Sequence, residues 1–333
     1  MSKRQVLVAR AVFPEVLERL RQYFEVDSNP DDRIYSKPEL MQRLQGKVGA
    51  FTAGSDHIDA EVLAACPQLR VVANMAVGYN NFDIPACTAA GVLATNTPDV
   101  LTETTADFGF ALMMAAARRM AESEHFLRRG EWTKWAYDMF TGSDIHGATL
   151  GILGMGRIGQ GIARRGALGF GMRVIYHNRS RLSAEQEGPI GARYVDKATL
   201  LKEADHLVLV LPYSPQSHHS IGAAELALMK PTATLTNVAR GGIVDDAALA
   251  VALREGRIAA AALDVFEGEP TVHPALLTLP NVVLTPHIAS ATVATRRAMA
   301  DLAADNLIAA LTGGTAPTPI NPEVLSRMRP VVA

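Results

Sequence analysis

"GILGMGRIGQGIA", residues 151–163, decides how the chain is read. Gly154, Gly156 and Gly159 stand in GxGxxG spacing, and the run leaves a strand-like segment to enter a helical one. The spacing alone is weak evidence. Between a strand and a helix it marks a loop that cradles a dinucleotide. Each glycine has its own reason. Gly154 permits the tight turn, Gly156 lets the backbone approach a pyrophosphate, and Gly159 lets the helix lie close to the sheet. The helix start then offers free N–H groups to the anion.

Outward from this loop the rhythm is strand, helix, strand. Downstream, strand-like runs recur at 173–178, 206–212, 233–239, 261–266 and 282–287, with helical segments between them, such as 245–256 closed by Gly256. Upstream, 5–10, 48–54, 69–76 and 92–96 read as strands, and 14–24 as a helix with Pro14 at its start. Such alternation predicts mostly parallel sheets covered by helices on both faces. A long helix is expected from about Glu103 to Arg129, its Ala-, Gly- and Met-rich middle suited to close packing. A last helix, 291–314, is more than the downstream unit needs. We therefore expect an α/β chain of two Rossmann-like, doubly wound parallel-sheet domains. A dinucleotide-binding domain over 102–289 is inserted into a substrate domain made of 1–101 and 290–333.

Bulk properties narrow the function. At 333 residues and 48% hydrophobic, the chain suits two cores. Its 32 basic and 34 acidic residues give a net charge of −2, no basis for binding nucleic acid or an anionic membrane surface. The apolar stretch "FGFALMMAAA", 108–117, is half the length that spans a bilayer. The N-terminal run Val6–Ala9 is too short for a signal-peptide core. Cys66 and Cys87 lie in no metal or CxxC spacing and read as reduced thiols, so a cytoplasmic location is expected.

The strand after the glycine loop bears on the cofactor. An NAD-binding chain carries a carboxylate at its end for the ribose hydroxyls. Here the segment is "YHNRSR", 176–181, with no acid. The Arg179 guanidinium suits a 2′-phosphate, and Asn178 and Ser180 add polar groups beside it. NADP is the expected partner, with NAD as the alternative.

Three polar groups then follow three successive strand candidates: Arg240 in "NVARGG", Glu269 in "DVFEGEP" and His287 in "LTPHIAS". In an open α/β sheet the carboxyl ends of the strands line the ligand crevice. Reduction of a 2-keto acid needs a hydride at the carbonyl carbon, a proton at the oxygen and a grip on the carboxylate. An imidazole exchanges its proton near neutral pH, which suits His287 to donate it. Glu269 would hold that ring by one nitrogen, and Arg240 would bind the carboxylate and polarise the carbonyl. "DVFEGEP" holds other acids. Pro270 biases its predecessor towards an extended backbone, which is compatible with Glu269 facing inward, and Glu267 is expected in solvent, but this geometry does not settle the choice between them.

Over nearly its whole length the chain resembles the D-isomer-specific 2-hydroxyacid dehydrogenases, most closely the branch of glyoxylate/hydroxypyruvate and 2-ketogluconate reductases. "AVGYNNFDI", "NTPDVLTETTAD", "GILGMGRIGQGIARR", "YHNRS", "NVARGGIVDDAAL", "ALDVFEGEP" and "LTPHIAS" carry the resemblance. It implies that Arg240, Glu269 and His287 are the catalytic set. It also implies a flavodoxin-like substrate domain and a substrate carboxylate held by the backbone N–H groups of Val77 and Gly78 together with Arg240. Cofactor contacts are implied at Thr105, Arg157, Ile158, Leu211, Pro212, Ser217, Val238, Ala239, Asp264, His287 and Ser290, besides the glycines and 178–180. The expected activity is NADPH-preferring reduction of small 2-keto acids, namely glyoxylate, hydroxypyruvate or 2-ketogluconate, to D-2-hydroxy acids. Two other readings share the motifs: a nicotinamide-sensing, corepressor-like binding protein, and an NAD-dependent phosphoglycerate-type dehydrogenase. The first is disfavoured by the lack of a long disordered tail. The second is disfavoured by "YHNRSR" and the lack of a C-terminal extension.

The other eight histidines receive no role. His218–His219 look like a metal pair, but no carboxylate or cysteine cluster stands near them in sequence, so no metal is expected. Residues 104–118 look too apolar for water, which predicts a homodimer. Trp132 and Trp135 are core or interface candidates, and in the resembled branch such an aromatic can reach a neighbouring subunit's pocket. Domain closure with hinges near 101 and 290 is expected, because hydride transfer excludes water.

Overall fold

Short apolar runs become the strands of two parallel sheets. The computed structural model describes residues 3–329. They divide into two units, one running to Leu101 and resuming at Thr292, the other Thr102–Ala291.

The first unit holds β1 (Gln5–Val8), β2 (Glu25–Ser28), β3 (Gly49–Thr52), β4 (Val71–Asn74) and β5 (Leu93–Thr95). Their order is β2-β1-β3-β4-β5, all parallel, the flavodoxin-like arrangement. Successive residues serve opposite faces. Val6, Val8, Phe51 and Val71 pack with Ala303, Leu307 and Leu311. Leu7, Ala50 and Val72 pack with Leu40, Leu44 and Leu63. Both faces are buried, so the strands read as continuous apolar runs. The last helix, Val293–Thr312, covers this sheet; Thr292 caps its start and Gly313, at φ +93°, ends it. It presses so near β3 that a Cβ on Gly49 would lie 2.8 Å from Leu307.

The second unit holds β6 (Thr149–Leu153), β7 (Arg173–His177), β8 (Arg193–Tyr194), β9 (His206–Leu209), β10 (Thr234–Asn237), β11 (Ala260–Leu263) and β12 (Val282–Leu284). The parallel order is β12-β11-β10-β9-β6-β7-β8. The chain winds one way from β6 through β7 and the other way from β9, so β6 and β9 flank the switch point where doubly wound sheets bind ligands.

The expected 103–129 helix is in fact two, Thr102–Ala117 and Met120–Arg128. Arg119 takes a left-handed φ of +52°. The Ala117 carbonyl accepts the Ser143 N–H (2.9 Å), so a returning strand of chain takes the acceptor that a continuing helix would use. The Ala/Gly-rich composition is satisfied within the unit. Ala106, Gly109, Phe110 and Met113 are buried, and a Cβ on Gly161 would meet Ala106 at 2.8 Å. The apolar run 104–118 therefore does not itself call for a second copy. No helix among the described residues is long and apolar enough to cross a membrane. Cys66 and Cys87 are free and buried, and burial pushes the Cys87 thiol up to about 12, so it is not a nucleophile at neutral pH.

Candidate active site

Gly154 takes up the turn at the end of β6 with φ +101°. A Cβ there would stand 2.6 Å from the Leu211 nitrogen, so the turn runs directly against the end of β9. A Cβ on Gly159 would lie 2.4 Å from the Gly154 carbonyl oxygen. Gly156, in contrast, faces open space, with no atom within 4 Å of where its Cβ would be. It is the N-cap of helix Arg157–Arg164, and no side chain caps that end. A tight turn, an unblocked approach and an uncapped helix N-terminus at the switch point fit the pyrophosphate of a nicotinamide dinucleotide.

The other expected cofactor residues are distributed around this loop. Arg157 is exposed and Ile158 partly buried on the first helical turn. Leu211 and Pro212 follow β9, and Ser217 is buried just beyond, its hydroxyl accepting the Ser214 N–H at 2.7 Å. Thr105 is buried in helix Thr102–Ala117, and Val238 and Ala239 are buried after β10. Ser290, partly exposed, follows the His287 loop.

Beyond β7 the polar residues divide their work. Asn178 accepts the Met155 N–H at 2.6 Å and so pins the glycine loop. Arg181 forms a two-pronged pair with Glu187 (2.9 and 2.7 Å), and the buried Tyr176 donates to the same carboxylate at 2.7 Å. Arg179 and Ser180 are exposed, and Arg179 makes no hydrogen bond or ion pair among the described residues. Of the two arginines, Arg179 is the one whose guanidinium is not engaged by an internal carboxylate among the described residues. Arg181, then Tyr176, hold Glu187 below the usual carboxylate range. A carboxyl lowered on folding stabilises the fold above its unfolded value and loses that contribution as pH falls through the folded one. Urea titrations should therefore show stability declining on the acid side, with a flatter acid limb in Glu187→Gln. Identical limbs would rule out the linkage.

Arg240, Glu269 and His287 follow β10, β11 and β12, three neighbouring strands. Asn237, at the end of β10, accepts the Ala239 N–H (3.0 Å) and donates to the Arg240 carbonyl (3.2 Å), which fixes the turn carrying Arg240. A Cβ on Gly241 would fall 1.7 Å from the Phe266 carbonyl oxygen, so this turn abuts the loop that carries Glu269. Burial lowers the Arg240 guanidinium from its ordinary value, and the nearby Glu269 carboxylate opposes that shift. The Glu269–Pro270 peptide is cis. His287 Nδ1 lies 2.8 Å from Glu269 Oε2, and the ring is half exposed.

What holds the imidazole in place is Asp264, fully buried after β11. Its Oδ1 accepts from the Thr285 hydroxyl (2.7 Å) and the Ile288 N–H (2.8 Å), and its Oδ2 accepts from the Ala289 N–H (2.8 Å). His287 itself is left-handed, at φ +54°. The resemblance gave Asp264 a cofactor contact; here its carboxylate clamps the His287 loop. Sequence reading passed over Asn237, whose only signal is a polar residue at the end of an apolar strand.

In the first unit, the turn after β4 has its carbonyls occupied. Asn96 donates to the Val77 carbonyl (2.8 Å), Asn74 to that of Gly78 (3.1 Å), and the Thr97 N–H to that of Ala76 (2.9 Å). The Val77 and Gly78 N–H groups have no internal acceptor among the described residues. Two amides on a turn fixed in this way suit a carboxylate.

One expectation about charged neighbours is corrected. Glu267 is exposed, as expected, but His218–His219 do have a carboxylate beside them. His219 Nε2 stands 2.7 Å from Glu267 Oε2. The fold brings the loops after β9 and β11 together across a long sequence separation, which no local spacing signals.

A glycine-loop dinucleotide site joined to a strand-end Arg, Glu and His defines a nicotinamide-dependent oxidoreductase. Residues 110–289 match the family model of the D-isomer specific 2-hydroxyacid dehydrogenase, NAD binding domain. A glyoxylate reductase of Thermococcus onnurineus is 49% identical over 332 residues, 98% of this chain and 99% of that protein. A crystal structure of a glyoxylate reductase from Paecilomyes thermophila superposes with a TM-score of 0.87 at 33% identity, covering 97% of this chain and 100% of that one. An NADPH-dependent glyoxylate/hydroxypyruvate reductase from Sinorhizobium meliloti, crystallised with NADP and malonate, gives a TM-score of 0.84 at 36% identity over 100% of both chains. The chain belongs to the D-isomer specific 2-hydroxyacid dehydrogenases and is an NAD(P)-dependent oxidoreductase.

Proposed function

We propose that the protein reduces glyoxylate, hydroxypyruvate or 2-ketogluconate to the D-2-hydroxy acid, with NADPH preferred over NADH. In this reading the unit Thr102–Ala291 carries the cofactor, and within it Arg240 binds the substrate carboxylate and polarises the keto oxygen. The Val77 and Gly78 N–H groups are carboxylate donors of the other unit. His287 gives that oxygen its proton from Nε2, since Nδ1 is turned to Glu269, which orients the ring. The bound NADPH supplies the hydride to the carbonyl carbon.

The observation that carries the reading is the 2.8 Å bond from His287 Nδ1 to Glu269 Oε2, on a loop clamped by a buried carboxylate. The names of the relatives supply the substrate class, and the cofactor choice rests on Arg179. The test is absorbance kinetics with these keto acids against both reduced cofactors. Consumption of NADPH by at least one of them is expected. Tight cofactor binding with no turnover of any would overturn the proposal in favour of a corepressor-like binding protein.

We also propose a cytoplasmic homodimer. Trp132, Trp135 and Tyr137 are 56%, 77% and 84% exposed, a degree of aromatic exposure that a partner subunit would relieve. Sedimentation should give twice the chain mass; a monomer at micromolar concentration would contradict it.

A further inference from the structure

Outside the strand-end triad, the second unit gathers two imidazoles and a carboxylate that the reaction above does not use. His218, His219 and Glu267 offer ligand atoms all within 4.8 Å of one another, and no other group of three such residues occurs among the described residues. His219 Nε2 is 2.7 Å from Glu267 Oε2, and His218 Nε2 is 4.0 Å from Glu267 Oε1. The two rings stack with centroids 3.9 Å apart and planes 21° from parallel.

Backbone contacts hold this arrangement. His219 is left-handed at φ +47°, and its N–H donates to the Gly242 carbonyl at 2.7 Å. The Glu267 N–H donates to the buried Asp246 at 3.1 Å. The Tyr213 hydroxyl lies 3.3 Å from His218 Nδ1, which engages that nitrogen and leaves Nε2 facing the carboxylate. An outer partner of this kind orients an imidazole for ligation. Gly242 leaves the room the cluster needs: a Cβ there would crowd His218 Nδ1 at 3.3 Å and Tyr213 at 3.2 Å.

We propose that His218, His219 and Glu267 bind a borderline divalent transition-metal ion, of which Zn²⁺ is the representative. Two imidazole nitrogens and one carboxylate oxygen are the donor set that zinc favours and that hard, all-oxygen ions such as Mg²⁺ do not. At metal–ligand distances of about 2.0–2.1 Å, tetrahedral donors lie about 3.3 Å apart. With all ligand atoms within 4.8 Å of one another, the widest pair closes by at most about 1.5 Å and the hydrogen-bonded pair opens slightly, which side chains 37–42% exposed can do by rotation. That exposure also leaves a coordination position for water. A bound ion would staple the loop after β9 to the loop that leads into Glu269.

The experiment is equilibrium dialysis of untagged protein against Zn²⁺, with an excess of Mg²⁺ present, for the wild type, His219→Ala and Glu267→Gln. Each variant is first checked for a wild-type unfolding midpoint in chelator. One Zn²⁺ per chain is expected for the wild type, with affinity in each variant reduced by at least the roughly 10–100-fold that loss of a mere outer-shell partner costs. No uptake by the wild type, equal uptake by the folded variants, or displacement by Mg²⁺ would each overturn the assignment.

Discussion

His287→Ala is expected to lower turnover by about 10²–10⁴-fold, the usual contribution of a positioned general acid. NADPH binding should be nearly unchanged. The reason lies in how the loop is built. Its backbone is fastened through the Thr285, Ile288 and Ala289 contacts to buried Asp264, and not through the imidazole. Under the proposed mechanism, removing the ring therefore deletes the proton donor and leaves the cofactor-side architecture standing. The loss should fall on kcat, because the ring acts on the oxygen as charge develops there rather than on ground-state binding. Single-turnover kinetics and fluorescence titration of NADPH separate the two quantities. Near-native turnover would remove His287 from the role of acid. A parallel loss of NADPH affinity would mean that the ring serves the cofactor.

How much of this was legible in the sequence depends on the range over which each feature is encoded. The buried strands were, because burial on both faces leaves continuous apolar letters: the runs at 48–54, 69–76 and 233–239 became Gly49–Thr52, Val71–Asn74 and Thr234–Asn237. Two of the four edge strands were not. Glu25–Ser28 is polar and only partly buried, and Arg193–Tyr194 is two residues long, so neither carries a hydrophobic signal. The helix break at Arg119 was hidden for a different reason: it depends on Ser143 claiming the Ala117 carbonyl from a distant segment. The candidate site shows the same division. The glycine loop is local and legible, since each of its glycines answers to a nearby backbone atom or an open approach. Arg240, Glu269 and His287 could be placed at strand ends from spacing alone, but selecting Glu269 over Glu267 needed the resemblance. The geometry then separates the two acids. Glu269 reaches His287, while Glu267, two residues earlier, turns to His219. The clamping role of Asp264 is written only in three dimensions, because its partners lie more than twenty residues away.

Arg179→Glu is expected to raise the KM for NADPH by about 10–100-fold, the loss of a charge-assisted contact worth about 1.5–3 kcal/mol, and to improve use of NADH. Arg179 is exposed at the end of β7, with no internal partner among the described residues, so its guanidinium is available to a 2′-phosphate. Arg181 cannot take its place without giving up Glu187, which also holds the buried Tyr176 hydroxyl. A glutamate at 179 would do two things at once. It would repel the phosphate, and it would stand where an acidic residue accepts ribose hydroxyls in NAD-binding sheets. Arg181→Ala is the matched control. It breaks the Glu187 pair and should lower stability, yet the ratio of kcat/KM for NADPH to that for NADH should stay near the wild-type value. If instead the ratio moved with Arg181 and not with Arg179, the phosphate would have to be bound by the side chain now paired with Glu187. That pair would then have to open whenever NADPH binds, so cofactor affinity would fall in step with any change that strengthened it.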